Sequence, residues 1–127
     1  MILLDTSFLV ALFRENDEKH ERAAELVKEI KGRVTITDHI FSELITFLTA
    51  KDGNSTAYGA GKKINESEII LISVLREDIP IALNYIRKYQ GISMCDALSV
   101  VVMKNMGIRK IASFDSDFDK FSVERIF

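Results

Sequence analysis

Met1–Phe13, MILLDTSFLVALF, sets the frame for the whole chain. Met1 to Leu4 is an apolar run without polar alternation, the pattern of a strand covered on both faces. Asp5 interrupts the run, and Phe8 to Phe13 then reads as a short helix. The stretch is apolar enough to resemble a secretory leader. It lacks a basic start, however, and carries Asp5 inside its apolar part, which argues against one.

The same strand-then-helix grammar recurs downstream. Asp17 is placed to cap a helix over Glu18–Lys31, with Ala23, Leu26, Val27 and Ile30 as its apolar stripe and Gly32 as its stop. Val34–Ile36 is a second short strand, and Asp38 is placed to cap the next helix. That helix carries Ile40, Phe41, Leu44, Ile45, Phe47 and Leu48 over a broad apolar face. Asp52–Ser55 spells a loop. Thr56–Asn65 is a helix penalised by Gly59 and Gly61. Ile69–Ser73 suggests a third buried strand. Asp78 is then placed to cap a helix that holds Pro80 in its first turn, has Leu83, Ile86 and Tyr89 on its inner face, and ends at Gly91. Ser93 caps a helix over Met94–Met106, closed by Gly107. Lys110–Ser113 is a fourth strand, and Phe121–Phe127 holds a short fifth. Alternating strands and helices predict an α/β fold with a mainly parallel sheet. In such sheets functional residues gather at the carboxyl edge.

With 127 residues, 47% hydrophobic and 28% charged, the chain has the composition of one soluble domain, expected over residues 1–127. The single cysteine, Cys95, allows no internal disulfide and accords with a cytoplasmic location. No apolar run approaches the roughly 18 residues of a membrane span, so no membrane partner is expected. A net charge of −2 weighs against a pure nucleic-acid-binding module but leaves room for an enzyme that concentrates its acids in one site.

The acids are placed for such a site. Asp5 follows the first strand and Asp115 the fourth, so a parallel sheet sets both at one edge. Asp96 falls in the first turn of its helix and Glu43 about one turn into its own. Two carboxylates about 4 Å apart repel by about 4 kcal/mol at an effective dielectric near 20. A hard divalent cation removes that cost, and oxygen ligands suit Mg²⁺ or Mn²⁺. The chemistry that fits is phosphodiester hydrolysis. Each acid also has a plainer role open to it. Asp5 can be a turn or cap residue, and Asp96 can complete a capping box with Ser93. Glu43 is more telling: it lies beside Ile40 and Phe47, on or near the buried stripe, where an unpartnered glutamate is uncommon. Asp115, Asp117 and Asp119 are spaced like a calcium loop. Lys120 and Ile126 stand where its glycine and glutamate belong, which excludes one.

MILLDTSFLVALF, FSELITF, ISMCDALSV and KIASFDSDFDKF, in that order, resemble the four acidic blocks of the PIN-domain family, most of all its VapC-type toxins. The resemblance implies a three-layer α/β/α sandwich and a Mg²⁺- or Mn²⁺-dependent ribonuclease acting on RNA. It implies Asp5, Glu43, Asp96 and Asp115 as catalytic acids and metal ligands, with Asp117 as an outer helper. Thr6 or Ser7 matches the hydroxyl residue after the first acid, and Ser113 stands where threonine is common. An antitoxin protein and a homodimer are the partners it implies. Phe41, Ile45 and Phe47 either serve that dimer or fill the core.

Other readings are weaker. A dehalogenase-like phosphatase needs a second aspartate where Ser7 stands, and a response-regulator receiver needs paired acids at the first strand. An inactive PIN-like RNA-binding or scaffolding module is the non-enzyme alternative. His20 and His39 have no partner at zinc-ligand spacing. Cys95 suits a small buried thiol. Lys51, Lys62, Lys63, Arg87 and Lys88 can guide a phosphate backbone or merely be solvated.

Overall fold

The computed structural model describes residues 1–127 and contains five strands and six helices. The strands are β1 (Ile2–Leu4), β2 (Val34–Thr37), β3 (Ile70–Ile72), β4 (Lys110–Ala112) and β5 (Glu124–Ile126). The helices are α1 (Thr6–Phe13), α2 (His20–Glu29), α3 (Asp38–Asp52), α4 (Asn54–Asn65), α5 (Asp78–Lys88) and α6 (Met94–Met106). All strand pairs are parallel, in the order β3-β2-β1-β4-β5. Parallel strands require crossovers, and the connecting helices form two layers. α1, α2, α3 and α4 pack together on one side, and α5 packs with α6 on the other. The result is the three-layer sandwich.

β1 lies at the centre, with all three residues buried, because it is flanked on both edges and covered on both faces. From β1 the chain steps outward to β2 and β3, then returns to lay β4 and β5 on the other side. The β1–β4 seam is therefore the topological switch point of the sheet, with Leu4 in register with Ala112. β3 sits at an edge and is not buried as expected; Leu71 is 51% exposed.

Several boundaries move for local reasons. Thr37, not Asp38, caps α3: its extended backbone ends β2, and its hydroxyl accepts from the Ile40 N–H at 3.0 Å. Asp17 does not cap α2. Its carboxylate closes a turn on the Lys19 N–H at 2.8 Å, and the helix begins at His20. The expected Asp52–Ser55 loop shrinks to Gly53, whose φ of 89° reverses the chain between α3 and α4. α4 tolerates its glycines through packing. A Cβ on Gly61 would stand 3.1 Å from Ile45 Cδ1, so glycine lets α4 lie close against α3. Glu77, not Asp78, is the cap residue of α5; Asp78 is already helical and buried, its carboxylate accepting from the Leu75 N–H and the Asn105 amide. The inner face of α5 is Ala82, Tyr85 and Tyr89, while Leu83 and Ile86 point outward. α6 follows expectation, with the Ser93 hydroxyl capping it and Gly107 at φ 66° ending it. No helix is long and apolar enough to cross a membrane.

Candidate active site

Asp5, Glu43, Asp96, Asp115 and Asp117 line one cleft of about 610 Å³ at the carboxyl edge of the sheet. Each arrives from a different direction. Asp5 ends β1 and caps α1; Glu43 stands on α3; Asp96 lies in the first turn of α6. Asp115 caps the short 3₁₀ turn Ser116–Lys120 that follows β4, and Asp117 lies inside that turn.

Asp5 is held most firmly. Its Oδ2 accepts from the Ser7 hydroxyl at 2.7 Å, the Ser113 hydroxyl at 2.7 Å and the Ser7 N–H at 3.3 Å. The two serines face each other at 3.2 Å, so the first block and the fourth are joined through one oxygen. Ser7 also accepts from the Phe114 N–H, and Ser113 from the Asp115 N–H, which fixes the start of the turn that bears Asp115. Of the two hydroxyl residues after Asp5, Ser7 is the partner. The Thr6 hydroxyl is buried without any hydrogen-bond partner.

Negative charge is concentrated here with little local compensation. Burial raises the Asp5 pKa despite its serine bonds. Burial, then the Asp5 and Asp115 charges, push Asp96 up to about 7 against the Ser93 hydrogen bond. The Cys95 thiol is only half-buried, yet burial and neighbouring Glu43 raise its pKa and keep it protonated. Asp117 alone of the five acids has an ion pair, with the Lys120 ammonium at 2.9 Å.

Glu43 departs from expectation. α3 buries the narrow stripe Ile40, Leu44 and Leu48, so Glu43 is exposed rather than buried. It shares the cleft wall with Phe47, one turn further along. Sequence reasoning missed Lys19, Phe114 and Lys120 near these acids. Only Lys120 had a local clue, its i,i+3 spacing from Asp117.

The donor set fits a hard divalent cation. Carboxylate oxygens of Asp96, Asp115 and Asp117 lie within 4.8 Å of one another. Every donor there is oxygen, and no histidine or arginine lines the cleft. The three hydrogen bonds to Asp5 all fall on Oδ2, which leaves Oδ1 without a hydroxyl partner. The unpartnered Thr6 hydroxyl beside them is a further group that a bound oxygen would satisfy.

Comparisons with known proteins converge on one family. The PIN domain model matches residues 2–124. The chain is 30% identical over 124 residues to a Mycobacterium tuberculosis protein named 23S rRNA-specific endonuclease VapC20, covering 93% of this chain and 92% of that one. It is 26% identical over 140 residues to Ribonuclease VapC6 of Methanocaldococcus jannaschii, covering 94% and 91%. The crystal structure of VapC20, described as a sarcin-ricin loop cleaving toxin, superposes with a TM-score of 0.89 at 26% identity, covering 97% and 98% of the two chains. FitAcB from Neisseria gonorrhoeae shares the fold at a TM-score of 0.72 and 18% identity, covering 100% and 97%.

Proposed function

The chain belongs to the PIN-domain family, and from that premise we propose that it is a metal-dependent endoribonuclease hydrolysing RNA phosphodiester bonds, the toxin of a toxin–antitoxin pair. The observation that carries this reading is the cluster itself. Carboxylates from separate elements converge on the carboxyl edge, and Asp5, Glu43, Asp96 and Asp115 have no basic partner. A fold does not keep such mutual repulsion for packing.

In this reading Asp5, Asp96, Asp115 and Asp117 would hold Mg²⁺ or Mn²⁺, with oxygens of Asp96, Asp115 and Asp117 within 4.8 Å of one another, and Glu43 would complete its surroundings. When bound, the cation would lower the pKa of a water and neutralise charge building at phosphorus. The protein's own contribution is positional. Ser7 and Ser113 fix the Asp5 carboxylate, so its free oxygen is presented without reorganisation. The Asp117 N–H does the same for the Asp115 carboxylate, and the Ser93 hydroxyl accepts from the Asp96 N–H and so fixes the backbone from which the Asp96 carboxylate projects. Glu43, exposed on the facing wall, is the acid free to turn toward the attacking water and take its proton. The water oxygen bonds to phosphorus, the bond to the leaving ribose oxygen breaks, that oxygen takes up a proton from solvent, and Glu43 returns its proton to solvent.

The likeness to VapC20 makes 23S ribosomal RNA the first substrate to test. The proposal includes action as a single domain over residues 1–127 in the cytoplasm, with an antitoxin that places an arginine or lysine among the carboxylates. It also includes a homodimer. Phe41, Ile45 and Phe47 are partly covered within the chain, whereas Leu83 at 54% and Ile79 at 40% exposure leave α5 open to a second copy. The test is incubation of the purified chain with 23S and total cellular RNA, with Mn²⁺ or with chelator. Metal-dependent internal cleavage is expected. RNA bound but never cut would favour the inactive binding module, and light scattering of a monomer at high concentration would end the dimer.

A further inference from the structure

A polyanion has to enter a cleft in which seven of the fifteen lining residues are acids and a single one, Lys19, is basic. The Lys19 ammonium makes no ion pair or hydrogen bond within the protein and lies 6.0 Å from the centre of the Phe114 ring. Both residues are held by their backbones. The Asp17 carboxylate fixes the Lys19 N–H at 2.8 Å, and the Ser7 hydroxyl fixes the Phe114 N–H at 3.0 Å. One face of the Phe114 ring stacks on buried Phe8 at 5.8 Å between centres. Phe114 directly precedes Asp115 in the chain and lines the same cleft as the five acids.

We infer that Lys19 and Phe114 form the substrate wall of the cleft: Lys19 meets the phosphate next to the scissile one, and the half-buried Phe114 ring supports the intervening base or ribose. The chemistry is that of single-stranded RNA binding, an ammonium for the backbone and an aromatic face for a base. An otherwise acidic cleft needs such a foothold, because its carboxylates repel every phosphate except the one the cation receives. Lys19 and Phe114 position substrate and take no part in bond breaking. The assignment rests on the nuclease reading above.

The test uses the full chain and a short fluorescent single-stranded RNA. Binding is followed by anisotropy against salt in an Asp5→Asn background, and cleavage kinetics are measured in the otherwise native chain. Lys19→Ala is expected to weaken binding about tenfold and to flatten the log–log salt dependence by about 0.7, one phosphate contact. Phe114→Leu, which keeps most of the volume over Phe8, is expected to weaken binding roughly five- to tenfold with the salt slope unchanged. Phe114→Tyr is expected to restore binding. In cleavage both losses should fall on KM, with kcat within about twofold. Unchanged affinity, salt slope and KM in Lys19→Ala and Phe114→Leu, in a chain that still cuts RNA, overturns this assignment alone. A native chain that neither binds nor cuts RNA overturns the nuclease reading beneath it.

Discussion

The two ends of the sheet carry opposite charge. At the carboxyl edge, a cleft of about 610 Å³ collects Asp5, Glu43, Asp96, Asp115 and Asp117. At the amino edge, a groove of about 510 Å³ runs between Lys31, Arg109 and Lys110 over Ile2 and Ile126, with Glu29 its one acid. The ends differ in order as well as in sign. The acidic end is tied by two hydroxyl bonds to the buried Asp5 carboxylate, whereas Lys31, Arg109 and Lys110 are exposed and unpaired. Net charge is therefore a poor guide to this molecule. The sum of −2 conceals a separation along the strand axis, and what faces a partner is the local field.

Substitutions at both ends sharpen that contrast. The largest effect belongs to Asp5→Asn, which removes one charge and keeps the shape. Cleavage is expected to fall by roughly 10²- to 10³-fold or more. Metal-free melting should stay level or rise, because repulsion is relieved. Added Mn²⁺ should raise the melting temperature of the native chain by mass action and raise the variant less. A variant that cuts at the native rate would remove Asp5 from the site.

Next comes Ser113→Ala, which leaves every acid in place but cuts the tie between Asp5 and the turn bearing Asp115. A loss of about 10- to 100-fold in metal affinity is expected from such a supporting group. About 1 kcal/mol of stability should go with it. Calorimetric Mn²⁺ titration and urea unfolding separate the two effects. Equal metal affinity would show that Ser7 alone orients the carboxylate.

A pH series gives a smaller but sign-specific effect. Asp96 has a folded pKa near 7 against an ordinary 3.8, so between those values the folded chain holds a proton that the unfolded chain has lost. Metal-free stability must then fall as pH rises through that window. Urea midpoints measured in chelator across it should decline in the native chain and decline less in Asp96→Asn, where the raised pKa of Asp5 keeps part of the slope. Mn²⁺ affinity should strengthen over the same range, since metal and proton compete for the same oxygens. A stability that climbs with pH in chelator would contradict the clustered-acid account.

The smallest effect is at the other end. Lys110→Ala is expected to change stability by no more than about 0.5 kcal/mol, as for other exposed surface positions. Its cleavage rate, measured beside that of Asp5→Asn, should match the native chain. A large loss there would mean that RNA reaches across the molecule and that the two ends act together.

Much of this arrangement was legible because a parallel sheet converts order along the chain into position in space. An acid after β1 and another after β4 must share an edge, and Ser93 and Gly107 bracket α6 by local chemistry alone. What escaped depended on neighbours distant in sequence. Glu43 looked buried because six apolar residues of α3 widened its apparent stripe, but α4 covers part of that face and leaves Glu43 in solvent. Leu83 and Ile86 followed a helical period as well as Ala82, Tyr85 and Tyr89 do. The aromatic contacts of Tyr85 and Tyr89 with Phe121 decide which side faces inward. Thr6 and Ser7 were equivalent on paper and are separated only by the geometry of the α1 cap. Lys19 and Phe114 share no motif, and no local pattern connects them.

The hydroxyl bond between Ser113 and Asp5 spans 108 residues of chain. During synthesis Asp5 leaves the ribosome early, and Glu43 and Asp96 follow, but β1 has no neighbour on its β4 side until Lys110–Ala112 emerges. A nascent chain stalled at any earlier point holds at most three of the five acids and no closed site. Activity thus arrives late and all at once, because its parts are drawn from both sides of the β1–β4 seam. Translation that aborts midway releases a fragment unable to cut RNA.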